Sequence, residues 1–404
     1  MSIRFLSFFL FLVAAAFKDD AADLAGSEFW SELAHTPLVA ALKSASGAIT
    51  ICAFLLAMAA IVRRFELRLH LFVGFVVYSM IAVIRASVLD LALGAKLFVG
   101  FCFSAAIYFS VRSASHHFGL KRTVMLYANA TALFSATLIA ANAFEFVQGF
   151  GFVEENPRMF GTSGHPNFLG VQLACAIMSL ASMATLTKKI RTIAVVTLCA
   201  CGLFFLYETG SRTGIVVLAS GALLMLQSKL RLSSSAVLAV AGLVAALMAS
   251  IPDLTAFGDV FSRDDQDTRS EAWSALISII VQDPIFGVGY VDEPSENSFL
   301  RGWASYGIGY AGVFLITVVW ALLRMAQYSN RDGAESLSPF VGLLAGLIAG
   351  SMLEGYLMDA FSVALLLYIV SLSLLDAVAE TSARGEERQT APEAVNACES
   401  AATV

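Results

Sequence analysis

Charged residues are scarce in this chain. Asp, Glu, Lys and Arg make up 14% of its 404 residues, whereas hydrophobic residues make up 58%. Because a soluble domain carries about 25% charged residues, the composition excludes an ordinary soluble fold. The apolar stretches reach the length of about 20 residues with which an α-helix crosses a bilayer, and they lack the strict alternation of barrel strands. The sequence therefore predicts an all-α polytopic membrane protein.

Other absences narrow the function. The six cysteines have no CxxC or metal-ligand spacing and the five histidines do not cluster, so neither a metal nor another cofactor is predicted. A net charge of −6 argues against nucleic acid as the main partner. No clear internal repeat is present, which weakens the case for an inverted-repeat transporter.

Twelve predicted spans account for the apolar stretches. They cover residues 3–17, 40–62, 67–84, 89–111, 123–147, 166–187, 191–208, 213–228, 233–251, 299–323, 337–354 and 357–376. These spans define a membrane domain over residues 1–376. The tail, residues 377–404, is rich in Ala, Glu and Thr and is predicted to be disordered. The first span is short enough for a signal peptide, but no small-residue cleavage site follows it, so a membrane anchor is favoured.

Basic residues predict the orientation of the chain. Sixteen of the 25 Lys and Arg residues fall in one set of alternate loops and seven in the other, while Lys43 and Lys96 fall inside spans. Since cytoplasmic loops carry the excess of basic residues, both termini are predicted to be cytoplasmic. The longest opposite loop, about residues 252–298, would then face the outer side of the membrane.

Part of this long loop has a helical pattern. Apolar side chains recur at helical spacing at Trp273, Leu276, Ile277 and Ile280. They indicate either a helix lying along the outer membrane interface or a helix packed on the bundle.

The first of three polar clusters on the predicted outer side covers residues 158–167. Gly161 to Gly164 precede Pro166, a favoured first-turn residue, so a helix begins here with free backbone N–H groups. Such an end is a ready anion site, and the guanidinium of Arg158 is suited to phosphate. An ordinary loop that ends in a helix cap explains the same residues, and for this cluster alone we favour it.

The second cluster is the turn Gly210-Ser211-Arg212-Thr213-Gly214 between two apolar spans. A charge is costly at this position unless it has a partner. Glu208 could pair with Arg212 in a structural ion pair, and a bound phosphate or pyrophosphate could serve equally. Because the turn does not need an arginine to form, a functional role is slightly favoured.

The third cluster begins at Arg269 and ends at Glu296 and Asn297, where another span begins. The Glu296 carboxylate could act as a general base. Equally, Glu296 and Asn297 could only cap the helix. If the three helices that start at these clusters are neighbours, their positive dipole ends and Arg158, Arg212 and Arg269 would meet in one outer cavity. That cavity would suit a lipid pyrophosphate.

The order of these motifs resembles the bacterial O-antigen ligase and Wzy-type polysaccharide polymerase superfamily. The resemblance covers roughly residues 150–310. It is carried by Arg-x-x-Gly-Thr-x-x-His-Pro-Asn-x-x-Gly (158–170), Gly-Ser-Arg-Thr-Gly (210–214), Arg-x-x-x-Trp (269–273), Pro-x-x-Gly-Val-Gly (284–289) and Glu-Asn-Ser-Phe-Leu (296–300). Family ligases carry His, then Asn, Ser or Gln, then nine residues and Gly-x-x-Gly, Thr or Tyr. Here Asn297 and Gly307-Ile308-Gly309-Tyr310 fit that frame, but Glu296 stands at the His position.

The resemblance implies a metal-independent, inverting glycosyl transfer from undecaprenyl pyrophosphate on the outer face of the inner membrane. Arg212 matches the family arginine that is thought to hold the pyrophosphate, and Arg158 and Arg269 match outer-loop arginines that share this task. We therefore expect Glu296 and Arg212 to be catalytic. Expected to bind pyrophosphate or glycan are Arg158, His165, Asn167, Ser211, Arg212, Arg269 and Asn297.

The favoured function is a polysaccharide polymerase, whose partners are an undecaprenyl-pyrophosphate-linked oligosaccharide, the bilayer, and flippase and chain-length regulator proteins. An O-antigen ligase that transfers glycan to lipid A core is the alternative, and the missing His counts against it. A transporter is a second alternative, because charged residues lie in or beside apolar spans. These are Lys43, Lys96, Glu145, Glu354 and Asp359. Pairing of these charges within the bundle is the favoured explanation.

Overall fold

A computed structural model describes residues 2–18, 33–61, 71–152, 158–184, 189–230, 268–289, 291, 297–329, 337–358 and 361–380. Within these residues the regular structure consists of α-helices and contains no strand, which confirms the predicted all-α class. The twelve described helices are α1 Ile3–Ala16, α2 Pro37–Ala60, α3 Leu71–Leu89, α4 Leu91–Phe118, α5 Leu120–Val147, α6 Pro166–Ala184, α7 Lys189–Glu208, α8 Arg212–Leu230, α9 Thr268–Gln282, α10 Ser298–Ser329, α11 Ser338–Ser351 and α12 Val363–Glu380.

Seven of the described helices are long and apolar enough to cross a membrane. They are α2, α3, α4, α5, α6, α10 and α12, and shorter apolar helices accompany them. The chain is therefore a multi-pass membrane protein, as predicted. The predicted span 233–251 lies outside the described residues.

Several helix boundaries differ from the prediction, and the differences at the end of α4 and at the end of α12 change the interpretation. The loop predicted after the fourth span is a single residue, Gly119, with a φ of 78°, and His116 and His117 form the last turn of α4 instead of a loop. Polar side chains such as Ser and His have only a modestly lower helix propensity than apolar ones, so polar residues do not end the helix. Similarly, α12 continues through residues 377–380, which were assigned to the tail. Residues 381–404 lie outside the described residues.

Helix α10 contains a backbone break at Gly307, which has φ 81° and ψ −179°. The segment 284–289 packs against this break. A Cβ atom at Gly307 would lie 2.0 Å from the carbonyl oxygen of Ile285, so only glycine fits. The Val288 N–H donates to the Ala304 carbonyl at 2.9 Å. The loop thus satisfies a backbone group that the break frees, as irregular backbone in a membrane protein requires.

Helices α6, α8 and α11 pack through glycines. A Cβ at Gly214 of α8 would lie 2.7 Å from the carbonyl of Gly170 in α6, and one at Gly346 of α11 would lie 2.4 Å from the Val217 carbonyl in α8. Small residues allow such close approach of membrane helices. The N-terminal ends of α6 and α8 are therefore held together.

Two carboxylates join the last helix to α3 and α4. The Asp376 carboxylate accepts hydrogen bonds from the backbone N–H groups of Leu71 and Phe72 and from the Tyr108 hydroxyl. The Glu380 carboxylate pairs with Arg112, which is fully buried. These contacts join ends that the alternation of spans places on one side of the membrane.

Candidate functional site

The turn before α6 is shaped by an asparagine from α5. The Asn142 Oδ1 atom accepts from the Thr162 N–H at 3.0 Å, and its Nδ2 donates to the Thr162 hydroxyl at 3.1 Å. Gly161 has a φ of 55°, and a Cβ there would lie 2.1 Å from the Asn142 Oδ1. In the first motif, Gly161 therefore leaves room for the Asn142 side chain, and Thr162 forms hydrogen bonds with it. The sequence interpretation missed Asn142, although an amide inside an apolar span was its signal.

Asn167 links two charged residues at the start of α6. Its Oδ1 accepts from the Arg158 Nη2 at 2.7 Å, and its Nδ2 donates to the Glu354 Oε2 at 2.9 Å. The Asn167 N–H donates to the His165 Nδ1 at 3.1 Å, so the imidazole caps the helix. Asn167 and Glu354 are both buried. We call this chain of contacts the Arg158–Asn167–Glu354 relay.

The second cluster lies directly against the first. The Arg158 Nε donates to the Thr209 carbonyl at 2.7 Å. The Ser211 Oγ accepts from the Gly214 N–H at 3.0 Å, so Ser211 is the N-cap of α8. Arg212 follows in the first turn and is only 3% exposed. Arg158 and the start of α8 therefore belong to one site.

The start of α10 joins the same site through the turn after α11. The Asn297 Oδ1 accepts from the N–H groups of Phe299 and Leu300, so Asn297 caps α10, as one of the two alternatives predicts. Its Nδ2 donates to the Met352 carbonyl at 2.9 Å. The Ser298 hydroxyl donates to the Glu354 carbonyl at 2.8 Å.

The N-terminal ends of α6, α8 and α10 thus lie close together, which was the condition for a shared cavity. The turn over residues 352–358 connects them, and Glu354 is bonded both to α6 through its carboxylate and to α10 through its carbonyl. Three helix N-termini carry partial positive charge toward this region. Glu354 was interpreted only as a buried charge of the bundle, because its distant position in the chain hides its proximity to Asn167.

Two predicted site residues cannot be placed. Glu296 and the side chain of Arg269 lie outside the described residues, although residue 269 is part of α9. Their roles stay predictions.

Helix α9 packs on the bundle through one face, as one of the two arrangements considered for it predicts. Leu276 and Ile280 are buried against Ala304 of α10, so one face packs on the bundle. Ile277 and Val281 remain 49% and 74% exposed, which leaves an apolar face toward the surroundings.

Glu145 makes local contacts that argue against a role in a transport pathway. Its Oε1 accepts from the Thr36 N–H at 2.9 Å, and its Oε2 lies 3.1 Å from the His35 Nδ1. With Glu354 bonded to Asn167, both carboxylates are engaged within the bundle.

Buried polar atoms without a hydrogen-bond partner also lie near the site. Among the described residues these include the Thr213 Oγ1, next to Arg212, and the Gln172 Oε1, in the second turn of α6. The Tyr356 hydroxyl, by contrast, donates to the Leu347 carbonyl at 2.5 Å. Burial raises the pKa of Tyr356 well above its usual value, and the nearby Cys175 and Glu354 add to this rise. The phenol therefore stays neutral.

Residues 197–311 match the family model described as O-antigen ligase. The matched segment extends from α7 into α10, and it contains the second and third polar clusters. The resemblance inferred from the motifs is confirmed over these residues. No curated protein matches the chain. The family match supports a glycan ligase or polymerase activity for this membrane protein.

Proposed function

We propose that the protein is a polysaccharide polymerase at the periplasmic face of the bacterial inner membrane. It transfers a growing glycan from undecaprenyl pyrophosphate to another lipid-linked repeat unit. One observation carries this proposal: the N-termini of α6, α8 and α10 converge with Arg158 and the buried Arg212, partly within the segment matched by the O-antigen ligase family.

This arrangement suits a pyrophosphate leaving group. Arg212 is buried at the first turn of α8, where the helix dipole is positive and the Thr213 hydroxyl has no hydrogen-bond partner among the described residues. A guanidinium there makes charge-assisted hydrogen bonds to phosphate oxygens. Fixed positive groups stabilise the charge that develops on the leaving group, so the reaction needs no metal ion.

The proposed transfer is a direct displacement. The acceptor hydroxyl oxygen attacks the anomeric carbon, and the bond from that carbon to the pyrophosphate oxygen breaks with its electron pair on the pyrophosphate. Glu296 accepts the hydroxyl proton, which is the task of a general base. Attack opposite to the leaving group inverts the anomeric configuration.

The remaining site residues either bind the pyrophosphate or orient the groups that do. Arg158 and Arg269 share the binding of the pyrophosphate with Arg212. His165, Ser211 and Asn297 cap the three helices and so orient their N–H groups, and Asn167 orients Arg158.

An O-antigen ligase is the second candidate, and the description of the matched family favours it. A ligase would transfer the same lipid-linked glycan to lipid A core or to another acceptor. In both cases the termini are cytoplasmic. Flippase and chain-length regulator proteins are the proposed partners of the polymerase.

The decisive test is a transfer assay on purified protein in nanodiscs. Only a lipid-pyrophosphate-linked oligosaccharide is supplied, and the products are resolved by length. Arg212→Ala is compared with Arg122→Ala, an exposed arginine at the other end of the bundle. We expect a ladder of longer lipid-linked chains that is lost in Arg212→Ala and kept in Arg122→Ala.

The other outcomes separate the alternatives. Transfer only after lipid A core is added would identify a ligase. A ladder that persists in Arg212→Ala would disprove the role of Arg212. No transfer to any acceptor would overturn the glycosyltransferase proposal.

A further inference from the structure

The Pro-x-x-Gly-Val-Gly motif forms a loop, residues 284–289, that bridges the break in α10, and we call it the α10 brace. The break at Gly307 divides α10 into two halves. From the second half, the Ile308 N–H donates to the Pro284 carbonyl at 3.0 Å. From the first half, the Ser305 carbonyl accepts from the last N–H of the brace at 2.6 Å. The α10 brace therefore satisfies backbone groups on both sides of the break.

Two glycines of the motif permit this close packing. Gly287 has a φ of 67°, and a Cβ there would lie 2.6 Å from the Ser305 carbonyl oxygen in α10. Gly289 has a φ of 92°, and a Cβ there would overlap the Leu89 side chain at the end of α3. The two glycines therefore allow the α10 brace to lie between α10 and α3.

An arginine of α3 fastens the α10 brace. The Arg85 Nε donates to the Phe286 carbonyl at 2.8 Å, and its Nη2 donates to the Gly287 carbonyl at 2.9 Å. The guanidinium also stacks over the Phe286 ring, 5.3 Å from the ring centroid. Hydrogen bonds from a charged, planar fork are strong and fix the direction of the groups they join. Arg85 lies before the matched segment 197–311, so the family match assigns it no role.

The first half of α10 connects the α10 brace to the proposed active site. This half, residues 298–306, is only about 14 Å long. At its N-terminal end, the Asn297 cap donates to the Met352 carbonyl and the Ser298 hydroxyl donates to the Glu354 carbonyl. At its other end it is bonded to the brace. A shift of the brace therefore changes the direction in which the first N–H groups of α10 point.

We propose that Arg85 is a positioning residue for glycan transfer: through the α10 brace it fixes the direction of the first half of α10, whose N-terminal N–H groups face the pyrophosphate. This inference rests on the proposed function. Arg85 acts through the backbone of the brace, so it does not need to touch the substrate. The starts of α6 and α8 are held to each other through Gly170 and Gly214, without the brace. Loss of Arg85 therefore removes one of three helix N-termini from donor binding.

The test compares Arg85→Ala with Arg85→Lys and with Arg324→Ala. Lysine keeps the positive charge but lacks the planar fork that reaches two carbonyls. Arg324 is a half-buried arginine near the other end of α10, 5.9 Å from the Trp320 ring centroid, and it serves as the matched control. The Michaelis constant (KM) for the donor and the melting temperature are measured for each variant.

We expect the donor KM to rise about fivefold in Arg85→Ala and about twofold in Arg85→Lys, and to stay unchanged in Arg324→Ala. Unfolding of part of the protein would lower the maximal rate without changing KM, so KM separates positioning from a general loss of stability. Arg85→Lys carries the test if Arg85→Ala does not fold.

Hydrogen exchange provides the second measurement, which does not depend on transfer. The N–H groups of Val288, Gly289 and Ile308 bond the brace to α10. They should exchange about fivefold faster in Arg85→Lys, whereas the first turns of α6 and α8 should not change. Unchanged exchange, or wild-type transfer with an unchanged donor KM in both Arg85 variants, would overturn this inference alone. Absence of any transfer by the wild-type protein would overturn the proposed function and, with it, the role of Arg85 in transfer.

Discussion

At the scale of single residues, the Arg158–Asn167–Glu354 relay explains why an acidic residue lies in the site proposed for an anion. A carboxylate repels pyrophosphate, but Glu354 accepts from the Asn167 amide at 2.9 Å, and that amide in turn accepts from Arg158. Glu354 therefore fixes the direction in which the Arg158 guanidinium points. We regard it as a positioning residue.

This role predicts different effects for two substitutions of Glu354. Glu354→Gln keeps an oxygen that accepts from Asn167, so the donor KM should stay within about threefold of the wild-type value. Glu354→Ala leaves the buried Asn167 amide without its partner, which costs about 1–3 kcal/mol. We expect a lower melting temperature and a donor KM raised about tenfold. Steady-state kinetics with varied donor would check this, and equal losses in both variants would show that the charge itself matters.

The residue scale also shows what the sequence could predict about the site. Arg158, Asn167, Ser211, Arg212 and Asn297 were identified from helix-start signals and motifs, and the structure brings them to one region. Their individual tasks were less predictable, because the same polar groups can cap a helix or bind a ligand. Only the structure shows that Ser211 and Asn297 cap their helices.

At the scale of elements, close packing of α6 on α8 brings two helix N-termini to the site. Gly214 permits this approach, since a Cβ there would lie 2.7 Å from the Gly170 backbone. Backbone cannot move aside as a flexible side chain can, so a larger residue must separate the helices. The distance between Arg158 and the start of α8 would grow with them.

We therefore predict that Gly214→Ala destabilises the protein by about 1–3 kcal/mol and strongly reduces transfer. The matched control is Gly312→Ala in α10, where an added Cβ meets nothing within 4 Å. Alanine there should leave activity unchanged and should not destabilise the helix. Thermal unfolding in detergent and the transfer assay check both variants, and a fully active Gly214→Ala would refute the importance of this contact.

The sequence predicts where the helices lie in the chain but does not predict which helices pack against each other. Hydropathy located the described spans, because length and apolar composition are local properties. It could not show which helices are neighbours, because lipid tails are as apolar as the side chains that pack between helices. The contact between Asn167 in α6 and Glu354 after α11 therefore had no signal in the pattern of either segment.

At the scale of the whole molecule, α12 holds the start of α3 and the C-terminal half of α4 through its two carboxylates. Arg112 is fully buried and pairs with Glu380, and two of its nitrogens, Nε and Nη1, have no hydrogen-bond partner among the described residues. A buried charge that loses its partner is strongly destabilising.

This pair predicts a non-additive result. Glu380→Ala alone leaves the Arg112 charge buried and should cost about 3–5 kcal/mol. Replacing both residues, as in Arg112→Met with Glu380→Leu, should cost less than the single change because no charge remains buried. Denaturation of the four proteins of the double-mutant cycle measures this, and additive losses would contradict the pairing.

Orientation is the property of the whole molecule on which the periplasmic reaction depends. Helix α5 has 28 residues and is therefore about 40 Å long, so its two ends lie on opposite sides of a bilayer. Lys121 is exposed near its start and Gln148 is exposed after its end. The excess of basic residues predicts that Lys121 lies in the cytoplasm and that Gln148 lies on the opposite side, together with Arg158 and Arg212.

Single cysteines at these two positions, in a variant whose six native cysteines are replaced, decide the orientation. A membrane-impermeant maleimide should label Gln148→Cys in intact spheroplasts and should label Lys121→Cys only after the membrane is opened. Because the reagent cannot cross the membrane, it reaches only cysteines on the outer side of intact spheroplasts. The reverse pattern would place the convergent ends of α6, α8 and α10 in the cytoplasm, where a polymerase of periplasmic lipid-linked glycans could not act.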